Sequence, residues 1–237
     1  MDAPEQIPPA TIAAIAVLAA ILVIIIAIPL VLRSKRRNGY KALAHKLGFE
    51  YSLCDWTDDY AVPALAGLDQ WIRVERHLVS GSVENTLVAL CDAEILPNVI
   101  NDELFPSTIK SDVDYYDGHA AHSTTAVILR APGVSMPSFT LSPRDRSEDW
   151  MTGDEGVRGF ADEAFMGRNR VMSADQDGIV TAMSGQAQKL LRRNKTLTIY
   201  GKGDVLVMCR YMERMSFDEI ETVLEMGQRL AKTLTSK

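Results

Sequence analysis

ATIAAIAVLAAILVIIIAIPLVL, residues 10–32, carries no charged side chain. As a helix rising about 1.5 Å per residue it reaches roughly 35 Å, enough to cross a bilayer. The flanks separate this reading from two others. A cleaved signal peptide has Lys or Arg ahead of a shorter apolar run, whereas here Asp2 and Glu5 precede it and Arg33, Lys35, Arg36 and Arg37 follow. A helix buried in a soluble core keeps a polar face, yet residues 19–32 contain no polar side chain. The expected organisation is a short extracytoplasmic stub over 1–9, a transmembrane helix over 10–32, a basic juxtamembrane segment over 33–37 and one domain over 38–237. Lys and Arg concentrate on the cytoplasmic side of a span, so RSKRR predicts a single-pass cell-membrane protein with its N-terminus outside and its domain cytoplasmic.

Within the span the signals are finer. Pro29 predicts a kink near the cytoplasmic end, and Ala13, Ala16 and Ala20 place small residues at helical spacing, which lets two spans approach. No ionisable side chain lies in the run, so the usual pointer to an ion pathway is missing.

Charge divides by compartment. Taking the two acids and four bases of residues 1–37 from the chain's −6 leaves −8 for 38–237. An acidic domain repels nucleic-acid phosphates, so nucleic acid is not an expected partner; the basic segment instead suits anionic lipid headgroups. Membrane lipid is therefore expected to contact residues 10–37. Cys54, Cys91 and Cys209 are far apart, fit a reducing compartment and have no zinc-ligand spacing. Cys91 and Cys209 fall in phase with apolar strand positions and read as core.

Along the chain, Tyr40, Leu43, Ala44 and Leu47 recur at helical spacing and Gly48 suits the position just past a helix end, which predicts a short membrane-proximal helix over 38–47. Residues 61–68 are poorly periodic and read as a turn or broken helix. Residues 72–80 and 86–95 read as a hairpin, the second strand alternating Leu87, Ala89, Cys91, Ala93 and Ile95 against Thr86, Val88, Leu90, Asp92 and Glu94. Residues 96–118 and 143–169 read as two long loops, and 121–130 and 138–141 as strands between them. A short strand over 170–172 follows. Ser173 with Gln176 has capping-box spacing ahead of an apolar stripe through Ile179, Val180, Met183, Ala187, Leu190 and Leu191, ended by Asn194. A hairpin comes next, turning at 201–203. Ser216 with Glu219 then opens a helix striped by Phe217, Ile220, Val223, Leu224, Gly227, Leu230, Ala231 and Leu234. The expected fold class is α+β: one N-terminal transmembrane helix, then a mostly antiparallel sheet with helices on one face.

The succession of a basic-flanked span, a short helix ending in LGFEY, VSGSVENTLVALCDAEI, AHSTTAVILRAPG with MPSFTLSPR, and LTIYGKGDVLVMCRYM before a final amphipathic helix resembles a group of uncharacterised bacterial single-pass membrane proteins. That resemblance implies the same architecture, carries no catalytic motif and argues against a housekeeping enzyme.

One polar cluster stands out: Asp112, Asp114, Asp117, His119 and His122 are candidate ligands for a divalent metal. The spacing departs from an EF-hand loop, with Asp117 where Gly belongs and Ser123 where the bidentate Glu belongs, and on a regular strand His119 and His122 point to opposite faces. DQDG over 175–178 lacks a bidentate acid at Ser184, and GKGD over 201–204 reads as a hairpin turn. There is no phosphate loop with its Lys, no GxSxG and no HExxH, so no catalytic residue and no cofactor-binding residue is assigned. Trp150, Met151, Phe160, Phe165 and Met166 lie among acids, the composition either of a partner-binding segment or of a flap buried on the sheet.

These observations lead to a non-enzymatic, membrane-tethered cytosolic binding or adaptor domain with a protein partner and no cofactor. A membrane-anchored metal-dependent hydrolase using the Asp112 to His122 cluster is the second expectation. A ligand or lipid sensor acting through span dimerisation is the third.

Overall fold

The computed structural model describes residues 9–54, 62–68, 72–95, 122–144, 156–210 and 213–235. For residues 9–17, 122 and 235 it describes the backbone alone. The apolar run and the expected membrane-proximal helix form one element: α1, Pro9–Leu47, is a single helix of 39 residues. No proline follows Pro29 within it, and the charged residues of 33–37 are good helix formers, so nothing ends the helix at the membrane edge. It ends at Gly48, whose φ of +69° is the left-handed turn that glycine accepts without strain. Gly48 N–H donates to His45 O (3.3 Å) and Phe49 N–H to Ala44 O (2.9 Å), which is a Schellman cap.

Eight strands follow: β1 Glu50–Leu53, β2 Ile72–Val83, β3 Thr86–Ile95, β4 His122–Arg130, β5 Met136–Pro143, β6 Asn169–Met172, β7 Leu197–Gly203 and β8 Val205–Arg210. They make one sheet in the order β1-β2-β3-β4-β8-β7-β5-β6. Every pairing in it is antiparallel. The helices after α1 are α2 Glu163–Arg168, α3 Gln176–Ala182, α4 Gly185–Leu191 and α5 Phe217–Thr235. A 3-10 turn, Pro63–Leu65, occupies the region that reads as broken helix. The fold is α+β, as the alternation of strand and helix patterns predicts.

All five helices contribute to one apolar cluster, which takes Val88, Leu90, Val127, Leu129, Ile199 and Met208 from the sheet. The opposite face buries Ala89, Cys91, Ala93, Ala126, Ile128 and Val207 under Leu65 and Leu68. Helices therefore lie on one face. Both phases of β3 are covered, which is why its alternation is apolar on both sides rather than apolar against polar.

Four local expectations need correction. The stripe from Ile179 to Leu191 belongs to two helices: Ser184 breaks the run, capping α4 through Ala187 N–H while Asp175 Oδ1 caps α3 through Gly178 N–H. Ser173 is thus not the helix cap, and its hydroxyl donates to Ser138 O instead (2.6 Å). β1 lies in a segment with too few residues for its period to register. Part of the second long loop is helical, because Asp162 caps α2 through Phe165 N–H. In that helix Phe165 is buried edge-on to buried Phe160, with ring centroids 5.3 Å apart, so these aromatics serve the core. Trp150 and Met151 lie outside the described residues. The C-terminal helix follows its pattern: Glu219 accepts from Ser216 N–H and Oγ at 2.8 Å, and its stripe from Ile220 to Leu234 is buried.

Candidate functional site

The densest polar constellation among the described residues lies where α1 leaves the apolar run and meets the sheet. Arg36, one turn past Leu32, turns its guanidinium toward the domain. Its Nε donates to Asp92 Oδ2 (3.0 Å) and its Nη2 to Asp92 Oδ1 (2.6 Å), a bidentate pair. The same group donates to Met215 O (2.7 Å) and Thr125 Oγ1 (2.7 Å). Asp92 Oδ1 also accepts from Tyr40 Oη (2.8 Å) and Thr125 Oγ1 (3.1 Å), and Met215 N–H donates to Thr125 Oγ1 (3.1 Å). One side-chain cluster thereby ties α1, β3, β4 and the entry to α5. Above it the guanidinium carbon sits 4.9 Å from the Phe217 ring centroid, and Phe217 meets Tyr40 edge-on at 5.3 Å.

Asp92 is buried and Arg36 half-buried, with side-chain exposures of 3% and 18%. Burial pushes the Asp92 carboxyl upward, but the hydrogen bonds and charge of Arg36, with Tyr40, outweigh it and hold the group below the ordinary carboxylate range. Burial works against the Arg36 charge too, and Asp92 more than offsets it. The Tyr40 phenol is driven well above its usual value by burial and by the neighbouring Asp92 charge, so it stays a neutral donor. A buried pair is held when every oxygen and proton finds a partner, and both Asp92 oxygens do.

Against this clamp the sheet is irregular. Val74 pairs with Ala93 and Leu78 with Cys91, so Glu75, Arg76 and His77 all stand opposite Asp92. A bulge of this kind re-aims side chains that alternation would send to opposite faces, and all three line one hollow of about 530 Å³ with Arg33, Arg36 and Arg214. Leu32, Asp92 and Glu94 complete its wall. A recess of about 300 Å³ beside it is lined by Arg33, Ser34, Arg37, Leu53, Arg76 and His77. Burial lowers the His77 imidazole below its ordinary value, Asp92 partly opposing and Arg76 reinforcing the shift, and its Nδ1 lies 3.1 Å from Tyr51 Oη.

The metal candidates are not brought together on the described chain. Asp112, Asp114, Asp117 and His119 lie outside the described residues; the backbone of His122 opens β4 opposite Ile95. Among the described residues no group of three or more His, Cys, Asp or Glu is placed to hold a metal ion. Cys54, Cys91 and Cys209 are all buried; burial pushes the Cys91 thiol far up and the Cys209 thiol to about 12. GKGD is the β7–β8 turn, with Asp204 paired to Arg130 at 2.9 Å.

What the fold defines is an α+β protein with, among the described residues, one N-terminal helix long and apolar enough to span a bilayer, the mark of a single-pass membrane protein. No family model and no curated protein matches the chain. Among solved structures it is similar to the crystal structure of the mycobacterial trehalose monomycolate transport factor A, TtfA, at 13% identity and a TM-score of 0.49, over 84% of this chain and 91% of that one.

Proposed function

We propose that the chain is a non-enzymatic adaptor: a single span, N-terminus outside, that holds an acidic cytoplasmic domain against the membrane for a protein partner. The observation that carries this reading is the Arg36–Asp92 clamp. An anchor whose only task is retention needs no fixed relation to its cargo, and a flexible linker serves it. Here the helix runs unbroken from the apolar stretch into the core, and a bidentate ion pair ties it to the sheet. Fixed presentation suits a surface that docks a second membrane-bound component. The four bases of 33–37 support the cytoplasmic assignment.

The test is a gentle-detergent pull-down of the tagged full-length chain from its native membrane, beside a version ending after Arg37. A stoichiometric protein recovered only with the domain supports the adaptor. Recovery of nothing, or of the same proteins with the span alone, overturns it. A tag ahead of Asp2 reachable only from outside, with one after Lys237 reachable only from inside, checks the orientation.

A further inference from the structure

We propose that the recess beside the clamp binds the phosphate of an anionic phospholipid in the leaflet on the domain's side, one lipid per chain. The inference rests on the membrane-spanning reading of α1. Its basis is which arginines of the junction are already neutralised. Arg36 is paired to Asp92 and Arg214 to Glu75, while Glu94 is paired to Arg73. Arg33, Arg37 and Arg76 are exposed, line the recess and have no ion-pair partner among the described residues. Three arginines from two elements, none of them ion-paired among the described residues, thus border one space. Their planar forks match phosphate oxygens bidentately.

Depth selects the lipid over a soluble anion. Arg33 directly follows Leu32, the last residue of the apolar run, and Arg37 lies one turn on, roughly 6 Å further along the helix. The headgroup layer on each side of a hydrocarbon core is of that same order, about 5–7 Å, so the recess sits where lipid phosphates are. The wall beneath it agrees. Leu53 at the end of β1 is 52% exposed and, among the described residues, is the large exposed apolar side chain outside the span. It gives the recess an apolar lip of the kind a glycerol ester and the first methylenes would cover. Ser34 adds a hydroxyl donor. The bulge in β2 has its use here, since regular alternation would turn either Arg76 or His77 away.

The test uses the full-length chain in mixed micelles of phosphatidylglycerol and excess phosphatidylcholine, with bound lipids counted by native mass spectrometry. One phosphatidylglycerol per chain is expected to survive the competition. Arg76→Gln and Arg37→Gln are each expected to weaken its retention about tenfold, the loss of a hydrogen-bonded charge. Lys35→Gln removes an equal charge from the same helix without touching the recess, and should keep retention within about twofold, against the general attraction in which every base counts alike. Equal losses for Arg76→Gln and Lys35→Gln, or no preference over phosphatidylcholine, would overturn the proposal. Displacement of the lipid by inorganic phosphate alone would reassign the recess to a soluble anion and overturn it as well. Circular dichroism of each variant separates lost binding from lost folding, and Arg37, exposed on a helix, is the variant least able to disturb the fold. Release of the chain from membranes by alkaline carbonate would remove the spanning reading itself. Retention in the membrane without lipid preference removes only the headgroup site.

Discussion

Asp92 is where a single residue decides most. Removing it leaves the Arg36 guanidinium without its counter-charge and the Tyr40 and Thr125 hydroxyls without the acceptor they share. Breaking one side of a buried ion pair costs about 3–5 kcal/mol, so Asp92→Ala should lower the unfolding free energy of the detergent-solubilised chain by about 3 kcal/mol in a urea titration. Proton linkage gives a second expectation. Asp92 and His77 both titrate lower in the fold than their ordinary values, which are near 4 and 6.5. The unfolded chain therefore binds more protons below those values, and stability is full above them and falls as pH drops. Melting temperature should decline in two stages, first below about pH 6.5 through His77 and again below about pH 4 through Asp92. Asp92→Asn should shrink the second stage without removing it, because hydrogen bonds from Ser216 also hold the Glu219 carboxyl below its ordinary value. A third expectation concerns thiols: all three cysteines are buried, so an aromatic disulfide reagent should find none in the native chain and three in denaturant. The sequence shows Asp92 between Cys91 and Ala93 in a mostly apolar strand, LVALCDAEI, with Glu94 as the other acid near its end, and an acid set that deep in an apolar run is the signal for a buried partner. Arg36 is hidden by its neighbours, because RSKRR satisfies a topology rule as a block and nothing in the block says which base faces inward.

Among the elements, α1 meets the start of α5 at Gly39. A Cβ there would lie 1.9 Å from Phe217 Cε2. Two effects oppose each other in Gly39→Ala. Alanine improves a mid-helix position by about 1 kcal/mol, while overpacking of this kind costs about 1–3 kcal/mol. The ring cannot swing freely, since it is held edge-on to Tyr40 and stacked by Arg36, so the clash wins. Gly39→Ala should destabilise the chain, and adding Phe217→Ala should recover part of the loss; a lower stability for the double variant would refute the contact. Elements with a long period and a chemical start signal are legible in sequence, as the Ser216–Glu219 box and α5 show. Those whose ends depend on tertiary contact are not. Gly39 carries no signal inside the helix expected over 38–47, and it is the place where another helix needs room. Ser184 looks like one polar residue within a stripe, yet its hydroxyl starts a second helix.

At the scale of the molecule, the clamp makes the orientation of the domain a property of the helix. Spin labels placed at Leu32 and at an exposed site on α5 such as Glu225 should give a narrow distance distribution in nanodiscs, widened severalfold by Asp92→Ala. An unchanged width would mean that the remaining packing of α1 against β2 suffices. The class of fold and the span were legible because hydrophobic length and strand alternation are local. The junction was not, because it joins residues 36, 40, 92, 125 and 215, which only the folded sheet brings together. The unbroken helix also works as a lever. Between Pro29, which lacks the N–H of a regular turn, and the cap at Gly48 there is no joint, roughly 27 Å of stiff arm. A bilayer that thins makes a span of fixed length lean. With α1 set in a bilayer, a chain built this way swings its domain with that lean, so that a change of a few ångströms in lipid thickness becomes a tilt of the domain.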